Sequence, residues 1–119
     1  MSDFGKLLTA VITPFDNNGV LNTDTLWRLC KKLVHEKSDG LVLSGTTGES
    51  PNLTKEDRKI IYSTAKDSVG DKAKIIAGTG TYSTKESIEY TKMANDIGVD
   101  GLMIVTPYYS KPSQFGILK

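Results

Sequence analysis

The chain has 119 residues, with fifteen basic against fourteen acidic side chains and a formal net charge of +1. That length suits one domain with a real core, and the balanced charge leaves no long-range field to draw in a nucleic-acid backbone or an anionic membrane. The single cysteine excludes an internal disulfide and a Cys-x-x-Cys metal site, and no long apolar stretch marks a signal peptide or a span, so a reducing cytoplasm is expected.

In chain order, the apolar run Leu7 to Thr13 predicts a first strand. Thr23 to Lys37 follows as a helix, because Leu26, Leu29, Cys30, Leu33 and Val34 recur at the spacing of one helical face. On it Cys30 is expected to pack as a small, unreactive hydrophobe, and Trp27, beside that face, to pack in the core. His35, the lone histidine, reads as a helix-end residue rather than a metal or acid–base group. Leu41 to Ser44 is a second strand. Thr54 to Val69 is a second helix, with Thr54 placed to cap it and Asp57 to answer. Lys74 to Ala77 is a third strand, Ser83 to Ile97 a third helix opened by Ser83 and Glu86, and Leu102 to Val105 a fourth strand. Gly70 and Gly98 are expected to close their helices in the left-handed conformation.

The strands are continuously apolar rather than alternating, which predicts burial on both faces. Strand and helix alternate at about thirty residues per unit, the length of a right-handed βαβ crossover. The fold class is therefore α/β with a parallel sheet, the beginning of either a doubly wound sheet or an eight-stranded barrel.

Each strand runs into a small polar cluster: Thr13-Pro14, Ser44 to Glu49, Gly78 to Thr81 and Thr106 to Tyr109. In parallel α/β folds these carboxyl ends form the ligand face. Gly45 and Gly48 let backbone approach a ligand while Thr46 and Thr47 place hydroxyls beside successive N–H groups. That pattern suits a carboxylate or phosphate, or a plain turn whose threonines cap the next segment. No phosphate-loop signature is present, and Gly78-Thr79-Gly80 lacks the third glycine of the dinucleotide fingerprint, so nucleotide binding is disfavoured. Tyr108 and Tyr109, adjacent in an extended loop, face opposite ways. Glu49 is expected to be a buried hydrogen-bonding partner that fixes its loop.

Ser44-Gly45-Thr46-Thr47-Gly48-Glu49-Ser50, Ala77-Gly78-Thr79-Gly80, and Thr106-Pro107-Tyr108-Tyr109 through Lys111-Pro112-Ser113-Gln114 follow the order and spacing of the dihydrodipicolinate synthase family. The chain resembles that family over essentially its whole length. The resemblance implies that residues 1–119 are the first half, about four βα units, of a (β/α)₈ TIM barrel. It also implies a lyase that needs no cofactor or metal and joins pyruvate to aspartate semialdehyde through an imine on a lysine, in lysine and diaminopimelate biosynthesis, as a homo-oligomer (dimer or tetramer). A neuraminate or 2-keto-3-deoxy-sugar aldolase using the same imine, or a non-catalytic half barrel, is the alternative.

Carried over by position, Thr46 and Thr47 with their amides would hold the pyruvate carboxylate, and the Thr46 hydroxyl would join a proton relay. Tyr109 would be the tyrosine that completes a neighbouring subunit's relay, with Tyr108 packing at the interface. Pro51, Lys55, Arg58, Gly80, Tyr82, Glu86 and Tyr108 match the family's lysine-effector positions. Lys55 and Arg58 stand where inhibited enzymes carry histidines, and their charges would oppose a lysine ammonium. The imine-forming lysine is not among these residues: Lys6 precedes the first strand, Lys74 begins the third, and Lys111 belongs to a solvated loop. The 119-residue chain alone is expected to be inactive and to expose the apolar faces of its first and fourth strands.

Overall fold

A computed structural model describes residues 3–118. The elements are β1 (Leu8–Ala10), α1 (Thr23–His35), β2 (Gly40–Leu43), α2 (Lys55–Val69), β3 (Lys74–Gly78), α3 (Thr84–Ile97), β4 (Gly101–Met103) and α4 (Gln114–Leu118). The four strands form one sheet in the order β1-β2-β3-β4, and every neighbouring pair is parallel. The expected α/β class and strand–helix alternation are what the chain adopts. No helix among the described residues is long and apolar enough to cross a membrane.

Helix ends follow local chemistry. Asn22 caps α1 by accepting from the Thr25 N–H. Thr54 and Asp57 form a reciprocal capping box on α2, each side chain accepting the other's backbone N–H at 3.0 Å. On α3 the Ser83 hydroxyl accepts from the Glu86 N–H at 3.3 Å, and the Glu86 side chain returns no bond to the cap. Gly98 closes α3 in the left-handed region (φ 88, ψ 40), whereas Gly70 has φ 54 but ψ −128, outside that region, and leads into a 3₁₀ turn at Gly70–Lys72.

The register assigns side chains to two faces. Leu41 pairs with Ile75, and Leu43 with Ala77; all four pack with Val11 under the helices against Leu26, Cys30, Ile61, Tyr62, Ala65 and Ala94. Each large apolar side chain buried there contributes about 1.5–3 kcal/mol. Ala10, Val42 and Ile76 line the opposite face, continued at Gly78 and Met103. Burial on both faces is realised only in the central strands. Leu8 and Leu102, on β1 and β4, are each 42% exposed, because each edge strand has a neighbour on one side only.

Three sequence expectations meet different environments. Cys30 is buried as expected, and loss of solvation pushes its thiol up to about 11, outweighing a backbone hydrogen bond that acts the other way. Trp27 is half-buried rather than in the core: its Nε1–H donates to Asp67 on α2 and Lys31 lies over its ring, so it bridges two helices at the surface. His35, at the last position of α1, is exposed.

The base of the sheet repeats one device. The Asp39 carboxylate, just before β2, accepts the N–H groups of Lys6 and Leu7 at 2.8 Å, and the Asp100 carboxylate, just before β4, accepts the N–H of Ile75 at 2.8 Å. In each case the aspartate precedes a glycine and grips the start of the preceding strand.

Candidate active site

The opposite end of the sheet, where β2, β3 and β4 finish, carries the polar clusters. After β2 the chain turns at once: Ser44 has φ 57, and Gly48 N and Ser50 N both donate back to the Gly45 carbonyl while Glu49 N donates to that of Thr46. Glu49 is also left-handed (φ 57) and its side chain is exposed, which corrects the expectation of a buried partner. The turn is closed by backbone bonds, and Glu49 serves as its corner. Thr46 and Thr47 form its crest. Both are exposed, and among the described residues their amides and hydroxyls bond to no protein acceptor.

Anchors hold the turn from behind. The buried Thr13 hydroxyl donates to the Gly48 carbonyl at 2.7 Å. Arg58, on α2 and 2% exposed, donates through Nη1 to the Gly78 carbonyl at 2.8 Å and through Nη2 to the Ser50 carbonyl at 2.9 Å. Tyr62 OH reaches the same Gly78 carbonyl at 2.9 Å, and the Arg58 guanidinium lies 4.4 Å over the Tyr90 ring. Burial raises the Tyr90 phenol's pKa, Glu86 nearby adds to the rise, and Arg58 opposes it. No carboxylate pairs with Arg58 among the described residues. Gly78 must be glycine here, since a Cβ would lie 2.5 Å from the Ser44 carbonyl oxygen.

A cavity of about 350 Å³ opens between these strand ends, lined by Ser44, Gly45, Thr46, Pro51, Gly80, Met103 and Tyr108, among others. Of the anticipated residues it brings together Thr46, Pro51, Gly80 and Tyr108. Thr47 and Tyr109 lie outside its lining, and Tyr109 is 91% exposed. Tyr108 meets Tyr82 edge to face, with centroids 5.3 Å apart. Glu86 is exposed on the first turn of α3. Lys55 lines a separate groove between α2 and α3 with Glu56, Lys59 and Glu89. Arg58 is turned into the interior, so any charge it offers an effector acts from behind the turn rather than from an open surface.

Sequence reasoning missed Thr13, Tyr62 and the interior role of Arg58. A signal existed for Arg58: with Ile61, Tyr62, Ala65 and Val69 it falls on the buried stripe of α2, where an arginine must find carbonyl partners. No three His, Cys, Asp or Glu among the described residues converge to hold a metal ion. The lysines keep their expected places: Lys74 opens β3 with Nζ 3.9 Å from Asp100, and Lys6 and Lys111 are exposed.

Comparisons with known proteins agree with this geometry. The sequence profile of the Dihydrodipicolinate synthetase family matches residues 3–119. A 4-hydroxy-tetrahydrodipicolinate synthase from Desulforudis audaxviator is 52% identical over 115 residues, which is 97% of this chain and 39% of that protein. The crystal structure of a dihydrodipicolinate synthase from Bacillus anthracis superposes with a TM-score of 0.94 at 44% identity, covering 98% of this chain and 40% of that one. The enzyme from Cyanidioschyzon merolae, crystallised with lysine bound, gives 0.93 at 40% identity over 97% of this chain and 39% of its own. The chain thus spans about two fifths of the length of the relatives it matches, and its four parallel strands correspond to the N-terminal half of their barrels.

Proposed function

Because the chain belongs to the dihydrodipicolinate synthetase family, we propose that it supplies the carboxylate-binding part of a 4-hydroxy-tetrahydrodipicolinate synthase. The substrates are pyruvate and aspartate semialdehyde, and the setting is the cytoplasm. The observation that carries this reading is the crest of the Ser44–Ser50 turn, where two successive amides, those of Thr46 and Thr47, stand without acceptors among the described residues, beside a strand-end cavity. Paired amides in a turn that is braced before any ligand arrives suit a carboxylate, because no reorganisation is needed on binding.

In this reading pyruvate's carboxylate lies on the Thr46 and Thr47 amides and the Thr47 hydroxyl. A lysine amine outside these 119 residues attacks the keto carbon and expels water as the imine forms. The imine withdraws electrons from the pyruvate methyl group, which loses a proton, and the resulting enamine attacks the aldehyde carbon. The Thr46 hydroxyl moves protons together with Tyr109, which comes from a second copy of the chain. The 91% exposure of Tyr109 is consistent with a side chain that acts on a neighbour, and a homo-oligomer is then part of the active site.

Free lysine is expected to inhibit weakly or not at all. Arg58 holds a buried cation behind Tyr90 near Glu86, so an incoming ammonium meets repulsion from within the wall, whereas Lys55 stands in the separate α2–α3 groove. Micromolar inhibition of the complete enzyme by lysine would overturn this part.

Borohydride trapping with labelled pyruvate tests the main proposal. A chain completed to the relatives' length should acquire one covalent adduct, and the 119-residue segment none. An adduct on the segment would relocate the nucleophile, and failure of the completed chain to react would sink the lyase reading.

A further inference from the structure

Arg58 is the only charged side chain buried among the described residues. Its partners there are neutral: the carbonyls of Gly78 and Ser50, at 2.8 and 2.9 Å, and the Tyr90 ring at 4.4 Å. Glu86 and Glu89 act on Tyr90 from α3, but neither makes an ion pair with Arg58. A guanidinium keeps its proton in proteins, so a full positive charge stays in the interior without a counter-ion. Burial of such a charge is costly.

Bracing alone does not call for that charge. Tyr62 makes the same bond to the Gly78 carbonyl with a neutral hydroxyl, and Thr13 holds the Gly48 carbonyl likewise. What the guanidinium adds is a field, and its place gives the field a target. Ser50 and Gly78, whose carbonyls it holds, both line the strand-end cavity together with Thr46. The cation therefore stands directly behind the wall that carries the Ser44–Ser50 turn. At an effective dielectric of about 20, opposite unit charges roughly 12 Å apart change an affinity about tenfold, and salt screens a buried charge little.

We propose that Arg58 is a positioning residue for the substrate: its buried charge, acting through the wall, draws the carboxylate of a 2-oxo acid onto the Thr46 and Thr47 amides. The counter-ion missing from the interior is the ligand itself. The proposal rests on reading the turn as a carboxylate grip.

The test varies pyruvate in the completed enzyme and compares Arg58→Lys, Arg58→Gln, Arg58→Met and Thr47→Val. Lysine keeps the charge but not the two-pronged bond, glutamine keeps N–H donors without the charge, and methionine keeps neither. Expected is a KM for pyruvate raised about tenfold in Arg58→Gln and Arg58→Met, with kcat changed far less, and a KM within about twofold of the wild type in Arg58→Lys. That split holds even where all three lower the Tm, which a purely structural arginine would not produce. If the lysine variant raises KM as much as the neutral ones, the bonds matter and the charge does not, and the proposal is overturned. If Thr47→Val raises KM while the neutral Arg58 variants leave it unchanged, the grip stands and the role of Arg58 falls. If neither position affects KM, the grip itself fails, and the proposal fails with it.

Discussion

Two segments flank the same cavity and are held in opposite ways. The Ser44–Ser50 turn is fastened from behind by the core: Thr13 on its Gly48 carbonyl, Arg58 on its Ser50 carbonyl, and Arg58 with Tyr62 on the strand end that it leans against. The 106–114 segment after β4 has the Lys111 N–H on the Tyr108 carbonyl and the edge of Tyr82 against Tyr108, while Tyr109 stands in solvent. The turn is organised by its own chain. The tyrosine segment carries Tyr109, the tyrosine of the proposed relay, as a side chain that contributes little to its own chain's packing, as expected of a group set in place by another surface.

The sharpest way to break this comparison is Tyr109→Phe in the completed enzyme. Turnover should fall by about 10²-fold or more, the scale of a lost proton-transfer group, while the Tm stays put because phenylalanine keeps the ring and only the hydroxyl is lost. Near-normal turnover would remove Tyr109 from the relay. Arg58→Met tests the other side and should cost about 3 kcal/mol of stability, since the Ser50 carbonyl keeps only the Leu53 N–H and the Gly78 carbonyl loses the charged one of its two side-chain donors. Urea denaturation reads it, and a loss under about 1 kcal/mol would mean that the brace is incidental. Thr13→Val should cost about 1–2 kcal/mol by leaving the Gly48 carbonyl unpaired, with a rise in the KM for pyruvate as the crest loosens.

The smallest effect lies at the far end of the sheet and is given as a direction. The Leu7 and Lys6 amides hold the Asp39 carboxyl below its ordinary range. Its folded pKa is therefore lower than its unfolded one, so its contribution is fully present above about pH 3.9 and fades as pH falls through the depressed value. The stability gap between the wild type and Asp39→Asn should accordingly narrow between pH 5 and pH 3. A gap that stays constant over that range would show that the two amides do not favour the ionised form.

What could be read from the sequence was what depends on neighbours in the chain. Thr54 and Asp57 stand three apart and form their capping box whatever the rest of the fold does, and the α1 stripe from Leu26 to Val34 needs only a helical period. The strand-end clusters announced the ligand face because a parallel sheet puts every carboxyl end on one side. Residues set by distant contacts were harder to place. Trp27 found Asp67 forty residues away instead of the core, and Glu49 became an exposed corner because Gly45 accepts the turn's bonds through backbone alone. Arg58 looks like an effector-facing charge in the sequence because nothing local reveals that the Gly78 carbonyl waits twenty residues on. The edge strands are shorter than their apolar runs, since Val11 to Thr13 and Ile104-Val105 continue past the paired registers into the ligand end.

The paired aspartate–glycine steps at the base of the sheet also bear on how the chain closes its loops. Asp39 reaches back 33 residues to the approach of β1, and Asp100 reaches back 25 residues to the start of β3. Each closes a strand–helix–strand loop with a side chain, while the Asp39 carbonyl accepts the Lys74 N–H at 3.0 Å and carries the base of the sheet on from β2 to β3. Loops of that size close early and cheaply in entropy. The cavity that gathers Ser44, Gly78 and Tyr108 draws its walls from the ends of β2, β3 and β4, so it needs both of these loops closed.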